Sequence, residues 1–237
     1  MLTQANALLG QGQLSLAKYL FIVAENDNPG LRAADVPAFF RHLLERVDWQ
    51  RDLHFHTRTT IDTLDYSGTA LHRGSKVVVA AVGAPKRTLP TIAPADLHLP
   101  SGFSDPRVVL PGVLAVRAPA HLATSDGVAA DLGAFCAGFS PADAIGAFPL
   151  IVLVDDSVLT ARNLDNFLWV TFTRSNPAQD ISGIGAATVH KHWGCTGSLV
   201  IDARQKSHHA PPLVEDAAVK ARVDALFAQG GPLAGIE

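Results

Sequence analysis

Glutamate is nearly missing from this sequence: of 22 acidic residues only Glu25, Glu45, Glu215 and Glu237 are glutamates, the last at the chain terminus. Chemistry that needs several converging glutamates therefore has few candidates. Cysteine is almost as scarce. Cys136 and Cys195 are too few for a disulfide framework in 237 residues, and both read as reduced, small buried hydrophobes of a cytoplasmic protein. No apolar run approaches the roughly 20 residues that span a bilayer, so no membrane span is expected. Residues 1–13 lack the basic region and long apolar run of a secretory signal. A net charge of -3 offers no broad attraction to a polyanion, which argues against a nucleic-acid partner. What is abundant is apolar: 48% hydrophobic against 17% charged residues marks an ordered globular protein able to bury a substantial core.

The chain is organised around a pattern that occurs twice, in residues 17–52 and 148–180. Each copy runs from an apolar β-type segment into acidic residues, then through an amphipathic helix to an Arg and a later Asp. Leu20-Phe21-Ile22-Val23 aligns with Leu150-Ile151-Val152-Leu153, and Glu25 with Asp155, at an offset of 130. Ala33, Phe39, Phe40, Arg46 and Asp52 align with Ala161, Phe167, Leu168, Arg174 and Asp180 at 128, and Gly74-Ser75 with Gly197-Ser198 at 123. Three blocks in one order indicate an internal duplication. The expected fold is α/β: two duplicated strand-helix-strand units with mainly parallel or mixed sheets, plus a C-terminal helix. The boundaries expected are a lead-in at 1–16, read as the end of a missing upstream part, a first unit at 17–84, an irregular connection at 85–146, and a second unit with the terminal helix at 147–237.

Within the first unit, residues 18–24 read as a buried strand and Asp35 as the N-cap of a helix whose Val36, Phe39, Phe40, Leu43, Leu44 and Val47 share one stripe. Residues 53–57 return as a strand, and such a crossover usually gives a parallel pair. Pro85, Pro90, Pro94, Pro100 and Pro106 mark the connection, and Pro111-Gly112 suggests an edge or a bend. Residues 117–147, rich in Ala and Gly, carry little pattern. In the second unit Asn163 can cap a helix with Leu164, Phe167, Leu168 and Phe172 in its stripe; Trp169 falls beside it, open to core packing or to a second contact. Val219, Val223, Leu226 and Phe227 share a face of a last helix, expected to be the end of the folded body.

Several chemistries can be weighed. Gly10-Gln11-Gly12 precedes its strand and lacks a third glycine, so it reads as a helix-to-strand turn instead of a dinucleotide fingerprint. His190, His192, Cys195, His208 and His209 lie within twenty residues, but only His190-x-His192 has the spacing of a ligand pair. No G-x-S-x-G elbow exists, and Cys195 lies in the compact segment Trp-Gly-Cys-Thr-Gly, which argues against a triad hydrolase. Asp155-Asp156 stands at the carboxyl end of a strand, a place for ligands or for capping the following turn.

Read together, Asp155-Asp156, Asn163, Trp169, Thr173-Arg174, Asn176-Pro177 and Asp180 resemble the C-terminal domain of the UbiD family of decarboxylases. In the first copy Arg46, Asp48, Asp52, Thr60-Ile61-Asp62-x-Leu64-Asp65 and Gly74-Ser75-Lys76 are similar to the same family; Thr60 stands where proline is typical, and two copies replace the usual one. Pro212-Leu213 and residues 219–226 resemble its last helix. The resemblance implies a carboxy-lyase acting reversibly on aromatic or α,β-unsaturated carboxylic acids with prenylated FMN and a divalent metal, commonly manganese (Mn), the flavin being supplied by a flavin prenyltransferase. It also implies that the cofactor cradle and the Arg-Glu-Glu catalytic set lie upstream of this chain, which agrees with the scarcity of glutamate. The chain would then supply oligomer contacts, as a homo-oligomer or with a UbiD-type N-terminal catalytic domain, and would bind no flavin or metal tightly by itself. Gln11, Gln13, Leu14, Ser15 and Lys18 are the residues it implies at the border of the cofactor pocket. The alternative is a non-catalytic assembly module or split subunit.

Overall fold

The computed structural model describes residues 1–68, 70–124, 127–211 and 214–236. Pro212, Leu213 and Glu237, named above, lie outside the described residues. Helix α1 (Leu2–Leu9) leads through a 3-10 turn at Gly12–Leu16 into the first unit: β1 (Tyr19–Val23), α2 (Val36–Arg46), β2 (Leu53–Thr59) and β3 (Gly74–Ala81). A hairpin follows, β4 (Ser104–Leu110) and β5 (Val113–Arg117), turning at Pro111-Gly112, then α3 (Ala130–Ala137). The second unit comprises β6 (Leu150–Val154), α4 (Ser157–Ala161), α5 (Leu164–Thr173), α6 (Pro177–Asp180), β7 (Ile181–Gly183), the hairpin β8 (Ala186–Val189) and β9 (His192–Cys195), and β10 (Leu199–Asp202). Helix α7 (Ala217–Phe227) is the last element.

The expected fold class holds, with mixed sheets ordered β1-β3-β2 and β4-β5-β6-β10-β7. The expected parallel pairing of the first crossover does not. Strand β3 lies between β1 and β2, parallel to the first and antiparallel to the second. The burial explains the order: all eight residues of β3 are buried, so it takes the centre, whereas β2 carries His54, His56 and exposed Arg58 and takes an edge.

The same topology recurs in the second unit. Strand β10 lies between β6, to which it is parallel, and β7, to which it is antiparallel. Tyr19 pairs with Val77 and Leu53 with Val79 in the first unit; Leu150 pairs with Leu199 and Ile181 with Ile201 in the second. The matching offsets are therefore 131 for the first strand, 128 for the second and 122 for the last, not 130 and 123 for the outer two. A one-residue slip inverts every side chain of a strand, so the distinction decides which residues face the core. Between the strands, Asp52 accepts a backbone bond from Asp48 at 2.8 Å and Asp180 accepts one from Asn176 at 2.6 Å. Asp27 accepts from the Gly83 N–H at 2.7 Å as Asp155 accepts from the Gln205 N–H at 2.8 Å, so Asp27, not Glu25, occupies the position that matches Asp155.

The caps expected from the sequence form: Asp35 accepts from Ala38 at 3.2 Å and Asn163 from Asn166 at 2.8 Å. Helices α2 and α5 and the inner faces of both sheets share one core, in which Val77, Val79 and Ala81 meet Leu150, Val152, Leu199 and Ile201. Phe40 and Phe167, one from each helix, pack edge to face at 5.9 Å. The outer face of the larger sheet is closed by Leu132 and Phe135 of α3, and that of the smaller by Ala5 and Leu9 of α1. Each segment that follows a helix also docks on the other unit. Trp49 Nε1 donates to the Pro149 carbonyl at 2.8 Å, and Ala178 N–H donates to Ser75 Oγ at 2.8 Å. Helix α7 forms, with Asp216 capping Ala218 and Val219. It does not close the core, because Val219, Val223, Leu226 and Phe227 remain 41–46% exposed.

Candidate functional site

Where the two units meet, an open groove of about 1060 Å³ borders β1, α2 and α5. Its floor is aromatic because the apolar stripes of both helices converge there: Phe172 lies 4.8 Å from Tyr19 and 5.6 Å from Phe21, both edge to face, and Phe21 lies 5.4 Å from Phe40. Trp169, which the sequence left between core packing and a second contact, is 56% exposed on the groove wall. The Arg174 guanidinium stacks on its ring at 4.9 Å and reaches Asp155 at 3.1 Å. At the other end Lys18, buried, pairs with Asp65 at 2.8 Å and donates to Ser67 at 2.6 Å. Burial lowers the Lys18 pKa, and the Asp65 carboxylate works against that. Tyr19 Oη and Ser175 Oγ share a hydrogen bond of 2.6 Å, and burial raises the phenol pKa. His209 lines the rim; burial and nearby Lys206 bring its pKa down to about 4, so it is neutral at physiological pH.

Beneath the groove lies a buried ionic network. Arg204 spans Asp202 at 2.6 Å and Asp131 at 2.8 Å, so both acids hold it firmly cationic. Lys206 Nζ reaches Asp180 at 3.3 Å and donates to the carbonyls of Arg174, Asp202 and Arg204. Burial outweighs Lys206 at Asp180 and pushes its carboxyl up to about 6. His121, Asp180 and Asp202 are the metal-capable cluster among the described residues, but Lys206 already pairs with Asp180 and Arg204 with Asp202. A metal ion therefore does not fit this set. Nor does the groove fit a flavin phosphate, since Lys18 is engaged by Asp65 and Arg174 by Asp155.

The residues singled out in the sequence are dispersed. Of Gln11, Gln13, Leu14, Ser15 and Lys18, only Lys18 borders the groove; Gln11, Gln13 and Leu14 are exposed around the 3-10 turn, and Ser15 Oγ donates to the Gly12 carbonyl at 2.7 Å. The histidine and cysteine group does not converge. His192 lies 5.3 Å from His54 of β2, His208 and His209 face each other at 4.8 Å, and Cys195 is buried with its thiol pushed up to about 12. Asp156 caps α4 through Leu159 at 2.8 Å. Tyr19, Phe21 and the Arg204 network went unread in the sequence, because their partners lie up to 156 residues away.

The family model of the 3-octaprenyl-4-hydroxybenzoate carboxy-lyase C-terminal domain matches residues 1–81. A Chlamydia trachomatis protein of unstated function is 32% identical over 220 residues, covering 92% of this chain and 35% of that protein. A Chlamydia pneumoniae protein named as a subunit of 4-hydroxybenzoate decarboxylase is 29% identical over 237 residues, covering 94% and 35%. The chain thus spans about a third of the length of the curated relatives it matches. Among solved structures, the open form of Sedimentibacter hydroxybenzoicus vanillic acid decarboxylase aligns at a TM-score of 0.33 with 12% identity, over 73% of this chain and 44% of that one. That likeness is too slight to bear on function. No helix among the described residues is long and apolar enough to cross a membrane. Residues 1–81, about a third of the chain, thus match the C-terminal domain of the UbiD-type decarboxylases.

Proposed function

We propose that this chain is the C-terminal portion of a UbiD-type carboxy-lyase that acts reversibly on aromatic or α,β-unsaturated carboxylic acids. It supplies oligomer contacts and part of the active-site wall, and its partner is a UbiD-type N-terminal catalytic domain. The observation that carries this reading is the family match over residues 1–81, supported by the decarboxylase name of the Chlamydia pneumoniae relative. The shared strand order and pairing of the two units support reading them as duplicated domains, at 17–84 and 147–237.

In the assembled enzyme Gln11, Gln13, Leu14, Ser15 and Lys18 border the cofactor pocket. Prenylated FMN, held with its metal by the catalytic domain, would supply the electron sink for decarboxylation when bound. The described residues form neither a phosphate cradle nor a free metal site, so their part is to shape the wall and exclude water. Lys18 is positioned by Asp65 and Ser67 rather than free to take a substrate carboxylate. Co-expression with a UbiD-type catalytic domain and a flavin prenyltransferase, followed by assay of carbon dioxide release from a panel of unsaturated aromatic acids, tests the reading. Turnover that requires this chain supports it. A stable complex with no gain in turnover favours the assembly-module alternative.

A further inference from the structure

The two units differ at one edge. In the larger sheet the outer edge of β6 is covered by β5, which runs parallel to it with Val113 opposite Leu150. Leu150 N–H donates to the Gly112 carbonyl and Val154 accepts from Ala118 N–H, so these residues direct their main-chain groups toward β5. Their counterparts in the smaller sheet are Tyr19 and Val23. Val77 N–H donates to the Lys18 carbonyl, and the alternation of a parallel ladder then turns the N–H and C=O groups of Tyr19, Phe21 and Val23 away from β3. Strand β1 pairs only with β3 among the described residues. The groove lies beside it, floored by half-buried Phe21 and Phe172. In the larger sheet the corresponding space is filled by inward-facing Val113 and Ala115 of β5, both fully buried.

We propose that the outer edge of β1 and the adjoining groove form a docking site for one strand of a partner polypeptide. The strand adds parallel to β1, with apolar residues at alternate positions that enter the groove over Phe21 and Phe172. Three observations select this occupant. The chain itself places such a strand, β5, on the matching edge. The unpaired main-chain groups of β1 call for a backbone, which a small molecule lacks. A second copy related by a closed two-fold would bring β1 against β1 in the antiparallel sense, which the parallel precedent disfavours. The docking site follows from the shared topology of the two units, and it rests on the functional reading above only in taking the catalytic domain as the source of the strand.

Amide hydrogen exchange read by NMR tests it on the full chain, alone and with an excess of a synthetic peptide copying residues 112–119. Added peptide is expected to slow exchange of the Tyr19, Phe21 and Val23 amides at least about tenfold while leaving Leu20 and Ile22, already bonded to β3, unchanged. Val23→Pro removes one outward donor at the strand end and is expected to weaken peptide binding about tenfold without unfolding the chain. Unchanged exchange at the three amides, or protection confined to α7, overturns the proposal. The same measurement on the complex with the catalytic domain separates it from the functional reading. Turnover without protection of β1 defeats the docking site alone; protection without turnover defeats the decarboxylase assignment alone.

Discussion

Asp180 shows how far a single residue can be read from sequence. Its place in the repeated pattern was legible, and so was its match to Asp52. Its environment was not, because Lys206, Asp202 and the Asn176 amide converge on it only through the fold. The folded carboxyl keeps its proton to about pH 6, above the ordinary carboxylate range. Its contribution is therefore favourable below about pH 4 and lost as pH rises through about 6, by about 3 kcal/mol between the two limits. Asp180→Asn removes that loss while keeping an acceptor for the Asn176 N–H. Urea denaturation at pH 4.5 and 7.5 is expected to show the variant gaining on the parent at the higher pH. A pH-independent difference would mean that the Lys206 ammonium, not burial, sets this carboxyl. His209 acts in the opposite direction: its pKa falls to about 4, so stability is lost as pH drops from about 6.5 through 4.

At the scale of elements, the capped helices and apolar strands were legible because Asp35 and Asn163 precede stripes of period 3.6. Strand register was not. Strands β3 and β6 are buried on both faces, so no alternation marks which residues look inward, and aligning by identity slipped the first and last strands of each unit by one. The antiparallel return of β2 was likewise hidden, since its direction depends on β3 claiming the centre. Residues 117–147 gave little because Ala and Gly carry no strong period, yet α3 covers an entire sheet face. The docking of residues 49–50 on β9 had no sequence signal. A side chain at Gly194 would place its Cβ 2.4 Å from the Trp49 carbonyl oxygen and 2.7 Å from Gln50 Cα, both backbone atoms that cannot easily yield. Gly194→Ala is therefore expected to cost about 2 kcal/mol or more in urea denaturation. A cost below about 0.5 kcal/mol would show that β9 does not hold this segment.

For the whole molecule, the structure joins two topologically matching units through one core, so unfolding should be a single transition. Phe40→Ala and Phe167→Ala, one from each unit, should each cost about 3–5 kcal/mol and shift the same transition. A double-mutant cycle should return a coupling of about 0.5–1.5 kcal/mol for their 5.9 Å edge-to-face contact. Two separable transitions would mean that the units do not share that core. The groove and the open edge of β1 emerged only in the folded chain, because the strands and helices that border them lie far apart in sequence. The chain spans about a third of its curated relatives, and its described residues provide neither a metal site nor a phosphate cradle. We propose that it completes a carboxy-lyase whose reactive groups lie outside the described residues. The most direct measurement titrates a fixed amount of cofactor-loaded UbiD-type catalytic domain with this chain while carbon dioxide release is followed. The account predicts a rate that rises and saturates at a one-to-one ratio; a rate that stays flat while the two proteins co-elute as a complex would contradict it.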